Sequence, residues 1–316
     1  MVLNRPPTLK SGQTEAFTAI VGKENVSLDD YSRVKYSSAK TSEEILELRQ
    51  GIIREVADVV VHPRDKYDVQ KIVQYCDTER IPITVFSGGS SCNFGCRPFK
   101  SGVSLVLSTH MNKLLEVSEL NQTARVQPGM FGPAYEKALN QSPELFSTKL
   151  RYTCGHFPQS FEYSTVGGWI STGGYGINSF RYGHLSKQIE SMKVVTGTGE
   201  VKQLSPSDHD FAYFVSTEGE FGIVVEVTLK LRDVSQGSYP HLLYFPGEKE
   251  AFAFIDGLVR DMTGARINPN VIRFLDENHL ADVNKIMRAD LFKKSVAVLV
   301  EFGSTEDERH FAEEVA

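Results

Sequence analysis

A strand, a helix and a second strand follow one another between residues 57 and 86, and this order restricts the fold most strongly. Val59–Val61 is a run of three β-branched residues that stops at a His-Pro pair, as a buried strand does. Apolar residues at positions 69, 72, 73 and 76 recur at helical spacing, which places Cys76 on the packed face. Residues 81–86 form a second short apolar run. Such a unit implies parallel strands joined by a right-handed crossover.

Short strand patterns separated by turns continue to residue 231. We predict strands at 103–108, 124–127 and 223–231, a helix that begins at Pro133, and a hairpin over 192–204. The loop at 235–237 is the expected domain boundary. Beyond it we predict a helix over 252–262, a strand over 297–302 and a helix over 305–316 with a Thr305…Glu308 capping box. This last unit ends without a helix terminator, so we expect it to be truncated.

Composition excludes several classes of protein. The 316 residues carry 34 basic and 40 acidic side chains, which argues against a nucleic-acid-binding surface. No apolar run approaches the roughly 18 residues of a membrane span, and the N-terminus lacks a secretory core. Four cysteines in a chain of this length are not a disulfide framework. We therefore expect a cytoplasmic globular protein that does not bind nucleic acid.

A glycine- and hydroxyl-rich loop at 85–95 follows the second strand of the βαβ unit. Adjacent glycines with serines let backbone N–H groups converge on one point, which suits a phosphate. The loop lacks the Gly-Lys-Ser/Thr ending of nucleoside-triphosphate loops and the G-x-G-x-x-G spacing of dinucleotide folds. By itself it is equally compatible with a tight turn.

Two further segments strengthen the indication of a ligand-binding site. Residues 155–176 are too rich in glycine and hydroxyl residues for a regular element, and a long structureless segment in a compact domain is usually functional. Its chemistry suits a long polar ligand laid against backbone, although a glycine-rich surface loop remains the alternative. The third segment, 216–223, is a glycine-bounded turn that runs into the alternating strand.

In this order the three segments resemble the FAD-binding domain of the vanillyl-alcohol oxidase/p-cresol methylhydroxylase (PCMH) superfamily. The run Pro-Gln-Ser-Phe-Glu-Tyr-Ser-Thr-Val-Gly-Gly-Trp at 158–169 is its most specific part. Within the superfamily the chain is most similar to alkyldihydroxyacetonephosphate synthase-like FAD-linked oxidases, then to glycolate oxidase and D-lactate dehydrogenase flavoprotein subunits. The resemblance implies an α+β fold. A helical and loop segment at 1–50 would precede a two-subdomain PCMH-type domain at 51–234, divided near residue 107, and an incomplete α/β cap domain at 235–316.

The resemblance also assigns a cofactor and its contacts. It implies FAD, with the first loop at the pyrophosphate, the second segment along the flavin and ribityl chain, and the third at the adenosine half. The implied contacts are Ser87, Gly88, Gly89, Ser90, Ser91, Pro158, Ser160, Ser164, Thr165, Gly167, Gly168, Thr172, Gly173, Glu218, Gly222, Ile223 and Val224.

Some positions depart from the family pattern. Ser87 replaces the first of three glycines, and Gly173 stands where the ether-lipid synthases carry an arginine. Relatives that bind FAD covalently use a His and a Cys where this chain has Ser90 and Phe161, so we expect non-covalent FAD. His156 precedes the flavin-lining segment; it either points at the flavin or is a surface or hydrogen-bonded histidine.

Cys92 and Cys96 lack further ligands near by in the sequence, so we predict no metal site. The favoured function is an FAD-linked oxidase or dehydrogenase that oxidises a small 2-hydroxy acid by hydride transfer to flavin N5. One alternative is an alkyldihydroxyacetonephosphate synthase-like reaction without net oxidation, and another is an FAD-binding module without activity of its own. No catalytic base is assigned. The electron acceptor is unknown, and both a homo-oligomer and a subunit of an oxidase assembly remain open.

Overall fold

The structure is a computed structural model that describes residues 6–263, 268–304, 306, 307, 309 and 311. These residues form two compact units. The first comprises the described residues up to Tyr175 together with His184–Arg232. The second comprises Gly176–Gly183 and the described residues from Asp233 onward. Both units combine helices with sheets, so the predicted α+β class is confirmed.

The helices and strands have the following bounds. The helices are α1 (Ser11–Val21), α2 (Asp30–Lys35), α3 (Ser42–Arg49), α4 (Lys66–Glu79), α5 (Gly132–Asn140), α6 (Ser142–Phe146), α7 (Val166–Thr172), α8 (Ser179–Tyr182), α9 (Glu248–Thr263) and α10 (Glu277–Met287). The strands are β1 (Val26–Ser27), β2 (Val59–Val61), β3 (Ile83–Phe86), β4 (Val103–Val106), β5 (Leu114–Ser118), β6 (Thr123–Val126), β7 (Tyr152–Thr153), β8 (Ile189–Thr196), β9 (Val201–Leu204), β10 (Gly222–Lys230), β11 (Arg232–Asp233), β12 (Tyr239–Phe245), β13 (Val271–Leu275) and β14 (Val296–Phe302).

The predicted βαβ unit consists of β2, α4 and β3 and belongs to a four-stranded sheet of order β1-β2-β4-β3. Strands β2 and β3 each run parallel to β4. They are therefore parallel to each other, as predicted, but they are not neighbours because β4 lies between them. Asp65 begins α4 by accepting the backbone N–H groups of Tyr67 and Asp68. Cys76 is buried in the core between α4 and this sheet, as the helical spacing predicted.

The second sheet of this unit is antiparallel, with the order β5-β6-β10-β8-β9. The predicted hairpin is the β8–β9 pair, in which Val195 lies opposite Val201. The predicted strand at 223–231 is β10, within one residue at each end. Its alternating sequence does not produce alternating exposure, because one face packs in the core with α5 and α7 and the other in the core with α4. The first residues of β10 therefore lie between the two cores of the unit.

The second unit has a three-stranded antiparallel sheet of order β12-β14-β13, against which α9 packs. The predicted helix at 252–262 and the predicted strand at 297–302 lie within α9 and β14. The capping pair Thr305 and Glu308 predicted for the last helix lies outside the described residues. Residues 176–183 belong to this unit, and Arg181 Nη1 donates to Asn268 O, Asn270 Oδ1 and Asp307 Oδ2 within it.

Candidate cofactor-binding site

The first glycine loop leaves the carboxyl end of β3 and packs directly on the second glycine-rich segment. A Cβ on Gly88 would lie 2.5 Å from Tyr163 O, so this close approach requires glycine. Gly89 has φ +65°, which also favours glycine. Ser87 Oγ accepts a hydrogen bond of 2.9 Å from Thr165 Oγ1 and thereby joins the two segments at side-chain level. The two stretches, far apart in the sequence, therefore form one continuous surface.

Part of the second segment is helical, and the prediction that it would be structureless is wrong. Helix α7 occupies 166–172, and Thr165 begins it by accepting the N–H of Gly168. Val166, Trp169 and Ile170 of this short helix are buried in the core. Burial of these apolar residues and the threonine cap outweigh the poor helix propensity of two glycines.

Trp169 fixes the orientation of the Ser164 hydroxyl, which lies just before α7 in this segment. Its indole Nε1 donates to Ser164 Oγ at 2.7 Å in a buried hydrogen bond. Because indole is a donor only, Ser164 must accept here, and its own proton remains free to donate elsewhere. The Trp169 ring also stacks on Phe161, with centroids 6.0 Å apart, which holds the indole in place.

The third segment is tied to the C-terminal end of α7. The backbone N–H of Ser216 donates to Ile170 O at 2.9 Å, and that of Glu218 donates to Ser171 O at 2.8 Å. Ser216 and Glu218 have φ of +61° and +56°, an unfavourable conformation for residues other than glycine that surrounding contacts must stabilise. The turn is thereby held next to the first and second segments.

The three segments converge on one cleft within the first unit, which encloses about 1060 Å³ including its open mouth. All the predicted contact residues except Gly173 line it: Ser87, Gly88, Gly89, Ser90, Ser91, Pro158, Ser160, Ser164, Thr165, Gly167, Gly168, Thr172, Glu218, Gly222, Ile223 and Val224.

Gly173 does not line the cleft and has a structural role at the end of α7. It ends α7 with φ +64°, and a Cβ there would lie 2.1 Å from Ser216 Oγ. Both the backbone conformation and the lack of space require glycine. A larger side chain at position 173 would therefore be strained in the local structure of this chain.

Several lining residues were not predicted. Asn93, Gly95 and Trp169 lie inside the segments that the sequence marks, so their proximity to the site was already indicated. Leu107 and Pro128 come from turns after other strands and carry no signal of their own. A Cβ on Gly167 would lie 2.6 Å from Pro128 Cβ, so this turn packs directly on the start of α7.

His156 is neither on the surface nor hydrogen-bonded through Nε2, which corrects the favoured alternative. It is buried, its ring lies 5.1 Å from the Trp169 ring, and Nε2 has no partner among the described residues. Burial, with the nearby His184, lowers its pKa to about 4, so the ring is neutral near pH 7. His156 lies behind Trp169 and does not line the cleft.

The cysteines differ in exposure, and only Cys92 is exposed. Burial raises the pKa of Cys76 and of Cys96 to about 12, and it raises that of Cys154 well above its usual value. Among the described residues, no group of three or more His, Cys, Asp or Glu side chains is arranged to hold a metal ion. Within the same residues, no helix has the length and apolar character needed to cross a bilayer.

The donor set of the cleft fits a dinucleotide. The backbone N–H groups of Gly88, Gly89, Ser90 and Ser91 make no hydrogen bond to any described residue, which leaves a cluster of donors for phosphate oxygens. A Cβ on Gly168 would meet only Thr165 Oγ1, at 3.4 Å, so the space beside this glycine belongs to the cleft. Fold and cleft together define an FAD-binding flavoprotein domain.

Comparison with known proteins agrees with an FAD-binding domain. Residues 57–205 match the family model described as FAD binding domain, in agreement with the resemblance of this part of the chain to FAD-binding domains. It is 27% identical over 281 residues to alkyldihydroxyacetonephosphate synthase of Trypanosoma brucei brucei, covering 86% of this chain and 44% of that protein. It is also 27% identical over 293 residues to glycolate oxidase subunit GlcD of Bacillus subtilis, covering 90% of this chain and 58% of that protein.

Solved structures show the same fold. An alkyldihydroxyacetonephosphate synthase structure superimposes with a TM-score of 0.82 at 25% identity, covering 99% of this chain and 59% of that one. p-Cresol methylhydroxylase superimposes with a TM-score of 0.71 at 18% identity, covering 98% of this chain and 65% of that one. The chain thus spans about half of the length of the curated relatives that it matches.

Proposed function

We propose that this chain is the FAD-bearing part of an FAD-linked oxidase or dehydrogenase that oxidises a small 2-hydroxy acid. The observation that carries the proposal is the convergence of three separate segments on one cleft that offers the backbone N–H groups of residues 88–91, which are unpaired among the described residues. When bound, FAD would supply the redox chemistry as the acceptor of the hydride from the carbon that bears the substrate hydroxyl, and the hydroxyl proton would pass to a base.

The residues of this chain bind and orient the cofactor. Free backbone N–H groups at 88–91 hold the pyrophosphate, and the Ser164 hydroxyl, held by Trp169, donates to an acceptor of the flavin or ribityl chain. Gly168 leaves room for the cofactor beside α7. The turn at 218–224 contacts the adenosine half. The carboxylate of Glu218 adds an acceptor, which suits ribose hydroxyls better than phosphate.

We further propose that FAD is bound without a covalent bond. Phe161, which stands where some relatives have the linking cysteine, stacks on Trp169 and has no nucleophilic atom. Acid precipitation of purified protein tests this: flavin absorbance is expected in the supernatant. Flavin that remains with the precipitate after acid treatment would contradict non-covalent binding.

The names of relatives support the substrate class, since they include glycolate oxidase and D-lactate dehydrogenase. Under anaerobic conditions, excess glycolate or D-lactate is expected to bleach the flavin absorbance at about 450 nm, the usual band of oxidised flavin. Restoration of the absorbance by air would show that the bleaching is reduction. If neither acid bleaches the flavin, the 2-hydroxy-acid proposal is wrong.

The second candidate is an alkyldihydroxyacetonephosphate synthase-like reaction, favoured by the synthase from Trypanosoma brucei brucei and by the synthase fold. Gly173 counts against it, because the resemblance places an arginine of the ether-lipid synthases at this position. Under this candidate, acyl-dihydroxyacetone phosphate would release its acyl group as a fatty acid and take an alkyl group from a long-chain alcohol, with no net oxidation. The 2-hydroxy acids would then leave the flavin spectrum unchanged.

The third candidate is an FAD-binding module that needs further protein for turnover. Among the described residues that line the cleft, the titratable side chains are Cys92, Cys96 and Glu218, and none is a histidine or tyrosine. We therefore propose that the catalytic base and the substrate-anchoring groups lie outside this cleft, with residues 235–316 beginning a cap domain. FAD binding without bleaching by any hydroxy acid would favour this candidate.

The remaining partners are open to direct measurement. The electron acceptor is identified by adding oxygen, quinone analogues or cytochrome c to the reduced protein and measuring which one reoxidises it. The oligomeric state follows from light scattering. All four cysteines are free, which supports the reducing cytoplasm that we propose as the location of the protein.

A further inference from the structure

Two loops that are far apart in the sequence meet at the edge of the cleft. Asn93 belongs to the loop after β3, and Glu218 belongs to the turn before β10. Asn93 Nδ2 donates to Glu218 Oε1 at 2.6 Å, a short hydrogen bond to a charged acceptor. Both residues are exposed and both line the cleft, so the bond lies at its solvent-facing edge.

The amide of Asn93 is oriented by its own loop. Ser91 Oγ donates to Asn93 Oδ1 at 2.7 Å, which directs the NH₂ group toward Glu218. Ser91 Oγ also accepts the backbone N–H of Gly95 at 3.2 Å and so holds the loop in a compact turn. A Cβ on Gly95 would lie 3.0 Å from Glu218 Oε2, so the two loops are in close contact here. Asn93 is thus set in position before it meets its partner.

Glu218 is held from the opposite side. Its backbone has φ +56°, and its N–H donates to Ser171 O at the end of α7. The backbone of Glu218 is therefore anchored to one wall of the cleft, while Asn93 is anchored to the other. A hydrogen bond between the two walls resists their separation.

We propose that the Asn93–Glu218 hydrogen bond is a latch on the cleft: it holds the two loops together over the bound FAD, and it must open for the cofactor to enter or leave. Asn93 is a positioning residue in this account, since it acts through Glu218. The inference rests on the assignment of the cleft to FAD. It is independent of the substrate, so a failure of the 2-hydroxy-acid proposal does not affect it.

The test exchanges the two partners. Asn93→Asp places a carboxylate against Glu218, and repulsion is expected to raise the rate of FAD dissociation by on the order of tenfold, as for loss of one hydrogen bond to a charged group. Asn93→Asp combined with Glu218→Gln restores an amide–carboxylate pair with the roles exchanged. This double variant is expected to return the dissociation rate to within about threefold of the parent protein.

Dissociation is followed by the gain in flavin fluorescence after rapid dilution of FAD-loaded protein. Asn121→Asp makes the same change of charge at an exposed turn outside the cleft and should leave the rate unchanged. Thermal unfolding of the FAD-free variants checks that each one folds. The Glu218→Gln single variant separates a direct contact of Glu218 with FAD from the effect of the Asn93–Glu218 hydrogen bond.

Two results would overturn the latch. One is a dissociation rate for Asn93→Asp equal to that of Asn121→Asp. The other is a double variant that releases FAD as fast as the faster of the two single variants, because the effects would then be independent of the pair. Rescue by the double variant supports the proposal whether or not Glu218 also contacts the cofactor.

Discussion

Gly167 and Gly168 are adjacent in α7, and the structure predicts opposite consequences for filling them. A Cβ on Gly168 meets a single atom, Thr165 Oγ1 at 3.4 Å, and otherwise extends into the cleft. Gly168→Leu should therefore preserve the fold, with a gain of up to about 1 kcal/mol from improved helix propensity. In FAD-loaded protein the same side chain competes with the cofactor for space. Overpacking costs about 1–3 kcal/mol, so the affinity for FAD should fall about 5- to 150-fold.

Gly167 supplies the matched comparison. A Cβ there would lie 2.6 Å from Pro128 Cβ and 3.0 Å from Pro128 O, in a region without free space. Gly167→Ala should therefore lower the free energy of unfolding of the FAD-free protein by about 1–3 kcal/mol. Chemical denaturation of the FAD-free proteins and fluorescence titration with FAD measure the two effects separately. If Gly168→Leu binds FAD as tightly as the parent protein does, the cofactor does not lie beside α7 and the reasoning is refuted.

Three further predictions concern single side chains. N-ethylmaleimide at pH 7.5 should modify Cys92 before the buried cysteines, and bound FAD should slow the reaction, as mass spectrometry of the modified peptides would show. Trp169→Phe should weaken FAD binding about 3- to 10-fold in FAD titrations, because Ser164 loses its fixed donor. In a Ser164→Ala background, the same change should have little effect on the affinity for FAD. Glu226→Gln should lower the free energy of unfolding by about 1–3 kcal/mol at pH 7 in urea denaturation, because the buried carboxylate pairs with Lys193, Arg125 and Lys66. Burial acts to raise the pKa of Glu226, but these three cations outweigh it and lower the pKa. The contribution of Glu226 to the free energy of unfolding is therefore present above the unfolded pKa of about 4.5, and it is lost as the pH falls through the lower folded pKa.

Elements defined by local patterns were predicted correctly from the sequence. The spacing of apolar residues predicted α4 and the burial of Cys76, and the strand and turn pattern over 192–204 predicted the β8–β9 hairpin. These signals are local, because helical periodicity and turn chemistry lie within a dozen residues. The order of strands in a sheet has no local signal. The insertion of β4 between β2 and β3 was therefore not predictable from the βαβ pattern.

Helix α7 shows the limit of propensity arguments. Its two glycines, together with those that follow, made the segment resemble a loop, whereas burial of Trp169 and Ile170 stabilises a helix there. The position of Arg181 was equally hidden, since its partners Asn270 and Asp307 are about 90 and 126 residues away. Long-range contacts of this kind decide which unit a segment joins.

The cleft was largely predictable because its residues are concentrated in three contiguous segments. The sequence marked those segments through glycines that the structure shows to be required by close approach, such as Gly88 and Gly167. Contributions from isolated turns, such as Leu107 and Pro128, could not be predicted. His156 illustrates the same limit, because its burial behind Trp169 depends on packing that no local pattern encodes.

A crystal structure of the protein loaded with FAD tests the central claim most directly. One FAD is expected along the cleft, with its pyrophosphate at the N–H groups of 88–91 and its adenosine half at the turn that precedes β10. Flavin density at any other place on the chain, or a pyrophosphate remote from this loop, would contradict it.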